Sequence, residues 1–311
     1  MMEQRTQSVP ARSDVLIIGG GPAGLTAAIY LVRFHLHTIL IDNGRSRAAT
    51  IPVSHNHAGH PAGISGEALL DRMRVQAQQY GAMLIVGDVA AVMRKGDEFV
   101  IDIGHRVTAP RLLLATGVRN NPPQMPTALH DEAVARGLLR YCPVCDGYEV
   151  TDKRIGVIGS GKCGTQEALF LRSYSRDVTL IAPDRQHQLD GEQRSKLDEA
   201  GIAVIEGPVR DFALNADTIG VHTAIGPQSF DTIYPALGTQ VHSGFARQLG
   251  AALGDNGGIT VDSHQRTSVP GLYAAGDVVL GLDQISHAMG EASVAATTIR
   301  NDYNADRPLR R

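Results

Sequence analysis

"DVLIIGGGPAGLTAAIYLVRFHLHTILID" (14–42) and "KRIGVIGSGKCGTQEALFLRSYSRDVTLIAPD" (153–184) repeat one pattern at a constant offset of 140 residues. Gly19, Gly21 and Gly24 fall on Gly159, Gly161 and Gly164, and Ala28, Leu31, Leu40 and Ile41 fall on Ala168, Leu171, Leu180 and Ile181. Each copy reads as an apolar strand, a glycine turn, an amphipathic helix and a second apolar strand, the unit that binds a dinucleotide. The first glycine makes the turn, the second lets backbone N–H groups approach a pyrophosphate, and the third lets helix and strand pack closely. In the first copy Asp42 ends the second strand where it can accept a ribose hydroxyl.

With 311 residues the chain exceeds one ordinary core, and 43% hydrophobic residues suit a folded interior. A net charge of −3 without long basic runs gives no footprint for nucleic acid or an anionic membrane. Val15 to Val32 carries no charge and approaches the length of a membrane span, but Gly19-Gly20-Gly21-Pro22 would break such a helix in its middle. We expect a soluble protein. Three cysteines are too few for a disulfide framework and point to the cytoplasm.

Two of those cysteines lie in "RYCPVCDGYEV" (140–150). A zinc clip needs four ligands, and no second cysteine pair or well-spaced histidine set completes one, so no metal is expected. A structural disulfide across so short a loop would constrain the unfolded chain little. Redox chemistry fits Cys142 and Cys145 best. Pro143 suits the first position of a helix, whose N–H groups favour a thiolate, and Asp146 adds a carboxyl group for the proton that thiol–disulfide exchange moves. The remaining thiol, Cys163, reads as a packed apolar side chain.

The first glycine motif, "LLLATG" (112–117), "CPVCDG", "GLYAAGD" (271–277) and "GISGEALLDRMRVQAQQYGA" (63–82) together resemble the low-molecular-weight thioredoxin reductases. The resemblance covers nearly the whole chain. It implies an α/β protein of two Rossmann-like dinucleotide-binding domains of the three-layer ββα type, the second inserted in the first. Residues 12–118 and 242–311 would bind FAD, residues 119–241 would form the pyridine-nucleotide domain carrying the cysteine pair, and residues 1–11 would be a flexible N-terminus. The FAD contacts implied are Gly19, Gly21, Pro22, Ala23, Gly24, Asp42, Asn56, Ala115, Thr116, Gly117, Gly276, Asp277, Gln284 and Ile285, the last two opening a helix toward the flavin. Cys145 would face the flavin, Cys142 would exchange with a protein partner, and Asp146 would be the acid/base. The family also implies a homodimer, a thioredoxin-like partner or small dithiol/disulfide, and rotation of the inserted domain on linkers near 118–122 and 238–243.

Three stretches depart from the family. NADPH-dependent members carry a basic cluster after the second strand of the inserted domain, where this chain has "LIAPDRQHQLD" (180–190) with only Arg185 close by and Asp184 opposing a phosphate. Gly159, Gly161, Gly164 and Arg185 therefore form a doubtful pyridine-nucleotide site, and use of NADPH, NADH or neither stays open. "SHNHAGHPAG" (54–63) keeps Asn56 and Gly59 but has His57 where relatives have an aromatic; exposed loop histidines, a flavin contact by His57 and a metal site are the alternatives. "CPVCDGYE" also resembles the related sulfhydryl oxidases, which pass electrons from small dithiols to O₂. Those usually have histidine after the second cysteine, so Asp146 favours the reductase reading over an oxidase or a flavin-binding module without turnover.

Overall fold

The computed structural model describes residues 10–305 and divides into two compact units. The first comprises Met1–Ala49, Glu67–Val118 and Val241–Arg311, and the second Thr50–Gly66 and Arg119–Gln240. Most of the expected flexible N-terminus, residues 1–9, lies outside the described residues; next to it, Ala11 accepts a main-chain hydrogen bond from Thr108 at 2.9 Å.

The first unit is built on a parallel sheet of five strands in the spatial order Leu272–Ala274, Arg111–Leu114, Val15–Ile18, Thr38–Asp42, Met83–Val86. The two long apolar runs become strands because every residue of Val15–Ile18 is buried, as a sheet covered on both faces requires. Alternation sends Leu16, Ile18, Ile39, Ile41, Leu112 and Leu114 to one face. There they meet Val92, Phe99, Ile101 and Val107 of the antiparallel strands Ala91–Lys95, Glu98–Asp102 and Arg106–Ala109. The helices Pro22–Arg33 and Ile285–Asn304 pack against each other and against the sheet. The run that resembled a membrane span is therefore a strand, a turn and a helix, and no helix among the described residues is long and apolar enough to cross a membrane.

The second unit repeats the plan. Its parallel sheet runs Ala203–Ile205, Val178–Ile181, Ile155–Gly159, Thr232–Ala236. Ile158, Ile181 and Ile233 face Ile219, Val221 and Phe230 of a three-stranded antiparallel sheet, while Val157, Leu180 and Tyr234 share a core with Ala168 and Leu171 of the helix Gly161–Leu171. The chain is thus α/β with two parallel-sheet units of the expected three-layer kind. The short strands Val118–Asn120 and Thr239–Val241 pair where the chain passes between them.

Candidate active site

Cys142 and Cys145 are joined by a disulfide, with their Cα atoms 5.2 Å apart. Pro143 opens a one-turn helix, Pro143–Asp146, as its fixed φ and missing N–H favour. Cys142 is the N-cap, and its Sγ lies 3.2 Å from the main-chain N–H of Cys145, which donates to it. Val144 between the cysteines is exposed, and its carbonyl accepts from Nδ2 of Asn56 at 3.3 Å.

Behind the pair, Asp146 sits in a partly buried polar cluster. Its Oδ2 accepts from Arg140 at 2.9 Å and its Oδ1 from the Tyr234 hydroxyl at 2.7 Å. Burial raises the carboxyl above the ordinary aspartate range, against the opposing pull of both partners. Glu167, on the helix Gly161–Leu171, is pushed up to about 7, first by burial and then by the charge of Asp146. Its Oε1 is buried without a partner, as is Oε2 of Glu149. A buried carboxyl that keeps its proton near neutrality beside a second carboxyl can store and release protons. The sequence pointed to Asp146 alone. Arg140, Tyr234 and Glu167 carry no motif, because strand pairing and helix packing bring them together over 94 positions of sequence.

In the first unit the glycine turn is tightly built. A Cβ at Gly19, whose φ is +105°, would stand 2.2 Å from the Ala115 carbonyl oxygen, and one at Gly24 would stand 1.9 Å from the oxygen of Gly19. In front of Gly21, by contrast, the nearest atom to a Cβ position is the Ser46 hydroxyl at 3.2 Å. Gly21 caps the helix Pro22–Arg33 without a side-chain hydrogen bond to it, and the first turn holds no acidic residue. Asp42 ends its strand at the turn, its Oδ1 accepting from Gly20 N–H at 3.0 Å. Asp277 meets Arg47 at 3.0 Å, and Arg47 also reaches Asp283 at 3.1 Å. Gly276 donates its N–H to Glu291 at 2.8 Å. Gln284 is the N-cap of Ile285–Asn304, whose first turn likewise lacks an acidic residue. Thr116 donates to the His242 carbonyl at 2.7 Å, and Gly117, at φ +63°, faces open space. A close glycine turn faced only by a side-chain hydroxyl, an uncapped helix start and a carboxylate ending the next strand are features a dinucleotide needs, so these residues fit FAD.

Other polar side chains are placed as follows. Asn56 also pairs with the Ser54 hydroxyl at 3.0 Å. His57 stacks on His60 with ring centres 5.3 Å apart, and burial lowers its pKa. His287 lies 3.1 Å from Glu291 on the same helix. No group of three or more His, Cys, Asp or Glu among the described residues could hold a metal ion. Cys163 is a correction: it is exposed, because its position on the helix Gly161–Leu171 turns away from the buried face formed by Gly164, Thr165, Ala168 and Leu171. Arg185 is exposed, and Arg194 lies 3.9 Å from Glu206.

Comparison with known proteins settles the family. The sequence model described as pyridine nucleotide-disulphide oxidoreductase matches residues 13–292. The chain belongs to that family. It is 32% identical over 300 residues to a thioredoxin reductase of Listeria monocytogenes serovar 1/2a, covering 91% of each chain. Among solved structures it resembles HlmI, at 31% identity and a TM-score of 0.86, covering 95% of this chain and 94% of that one. It also resembles the thioredoxin reductase of Streptococcus pyogenes MGAS5005, at 26% identity and a TM-score of 0.87, covering 96% and 100%. The protein is accordingly a thioredoxin reductase-like, FAD-dependent disulfide oxidoreductase, and its Cys142–Cys145 pair fits the redox-active dithiol of such an enzyme.

Proposed function

We propose that Cys142 and Cys145 exchange electrons on one side with FAD and on the other with a thioredoxin-like protein or small dithiol/disulfide. The observation that carries this is the disulfide at the start of a one-turn helix, with the buried Asp146 cluster directly behind it.

FAD, when bound, supplies a two-electron acceptor and donor. Gly19, Gly21, Pro22, Ala23, Gly24 and Asp42 would hold its pyrophosphate and ribose, with Ala115, Thr116, Gly117, Gly276, Asp277, Gln284 and Ile285 lining the rest. In the reduced pair the Cys145 N–H favours a thiolate on Cys142. That thiolate attacks the partner's disulfide, and one partner sulfur leaves and takes a proton, which Asp146 would provide. Cys145 then attacks the Cys142 sulfur, the second partner sulfur leaves, and the Cys142–Cys145 bond forms as the partner gains two electrons and two protons. Arg140 and Tyr234 orient Asp146. Cys142 is the interchange thiol in this scheme and Cys145 the one that serves the flavin.

The first unit reads as the FAD-binding body and the second as the body carrying the pair, with Thr50–Gly66 in the second unit rather than in the expected 12–118 segment, and the reading extends to a homodimer acting in the cytoplasm. Its test is anaerobic titration of the yellow protein with dithiothreitol in the wild type and in Cys142→Ser/Cys145→Ser. The wild type should bleach and the double variant should not; equal bleaching would remove the pair from the electron path.

A further inference from the structure

The two glycine turns share one sequence pattern but not what stands before them. Before Gly21 is the hydroxyl of Ser46; before Gly161, the residue at the same offset, the main-chain carbonyl of Gln188 lies 3.2 Å from the point a Cβ would occupy. The backbones differ as well. Gly19 is the left-handed glycine of the first turn, whereas in the second it is Gly161, at φ +54°, and the helix begins at Gly161 itself.

The segment that supplies this carbonyl is bonded in place. Ser160 Oγ accepts from the Gln188 N–H at 2.6 Å and lies 3.3 Å from Nδ1 of His187. Nε2 of His187 lies 2.9 Å from the Ile205 carbonyl, which can only accept, so Nε2 carries the proton and Nδ1 accepts from the Ser160 hydroxyl. This set of bonds uses a neutral imidazole, and burial lowers the His187 pKa accordingly. The His187 N–H donates to Glu206 at 2.8 Å, and Asp190 ends the segment in a capping box with Gln193. A pyrophosphate at Gly161 would have to displace an acceptor oxygen and part the segment that the Ser160 bonds hold.

We infer that Ser160, His187 and Gln188 determine the electron donor by closing the second glycine turn to dinucleotides, so that reducing equivalents enter as a dithiol at Cys142–Cys145. This rests on the proposed role of that pair. The entering dithiol forms its own S–S bond as the Cys142–Cys145 bond breaks, and two electrons and two protons pass to the pair.

The test uses the flavin-loaded full chain. Binding of NADH and NADPH is followed by nicotinamide fluorescence, and flavin bleaching is followed anaerobically with each nucleotide and with dithiothreitol. The wild type should show no saturable binding of either nucleotide below millimolar concentration and no bleaching by them, with bleaching by dithiothreitol. Ser160→Gly/His187→Ala, which removes the side chains pinning the loop, should bind at least one nucleotide about tenfold or more tighter. Micromolar saturable binding by the wild type, or a double variant that stays yellow and binds no better, would overturn the inference. If the double variant loses its fold or flavin, hydrogen exchange of the wild-type Gln188 amide decides: slow exchange supports the closure and fast exchange refutes it. Failure of dithiothreitol to bleach the wild type would instead refute the role of the pair, and the binding arms would still judge the loop.

Discussion

Tyr234 donates its hydroxyl to Oδ1 of Asp146 at 2.7 Å, joining the edge strand of the second parallel sheet to the helix turn that carries the disulfide. The bond fixes the carboxylate next to Cys145 and favours its charged form, while burial favours the neutral one. The balance between them sets the pH at which Asp146 can give or take a proton.

Tyr234→Phe should therefore raise the Asp146 pKa. A hydrogen bond to a charged group contributes about 1.5–3 kcal/mol, which corresponds to about one to two pH units. The midpoint of the pH–rate profile for exchange with a small disulfide should move upward by that amount, and Asp146→Asn should abolish it. An unmoved midpoint in Tyr234→Phe would separate Asp146 from the titration.

The two cysteines should differ in what they trap. In Cys145→Ser the remaining Cys142 can form a mixed disulfide that nothing resolves, so incubation with an oxidised thioredoxin-like protein should give a stable covalent adduct on non-reducing gels. Cys142→Ser should give little, because Cys145 would lack the interchange role. Equal adducts from both, or more from Cys142→Ser, would invert the assignment.

Both glycine turns, both parallel sheets and the disulfide pair were legible because each is written locally: apolar runs of strand length, glycines at fixed spacing, and a Cys-Pro-x-Cys that begins a helix. The polar cluster behind the disulfide was not, since Arg140, Asp146, Glu167 and Tyr234 meet only after the strand Thr232–Ala236 pairs with Ile155–Gly159. The missing basic residues of 180–190 were legible, but the packing of that segment against Gly161 was not. His187 and Gln188 look like ordinary polar loop residues until Ser160 Oγ is seen to hold one and approach the other. Cys163 misled because a cysteine is more often buried, and only the register of its helix shows which way it points.

Flavin retention should depend on the first unit's turn. Gly21→Trp would fill the space before the helix Pro22–Arg33, and Asp277→Ala would remove a carboxylate that Arg47 holds at 3.0 Å. Both proteins should purify pale or colourless, while Cys142→Ser remains yellow. Absorbance near the flavin maximum, relative to protein, measures it; full colour in both variants would move the site elsewhere.

Glu167 should make the protein less stable as pH rises from about 4.5 toward neutrality. In the unfolded chain its carboxyl has the ordinary value of 4.5, whereas in the fold burial and the Asp146 charge hold it at about 7. Between these values the folded protein keeps a proton that the unfolded chain has shed, so stability falls with rising pH, and above about 7 both states are ionised and the loss is complete. A displacement of this size corresponds to about 3 kcal/mol. Glu167→Gln keeps the shape of the side chain and cannot ionise, so it should escape the loss. Thermal midpoints at matched flavin occupancy should show little difference between wild type and variant at pH 4, and a clear advantage for the variant at pH 8.5. A variant whose advantage is the same at both pH values would show that the Glu167 carboxyl titrates alike in the folded and unfolded chain, and would remove it as a proton store behind the disulfide.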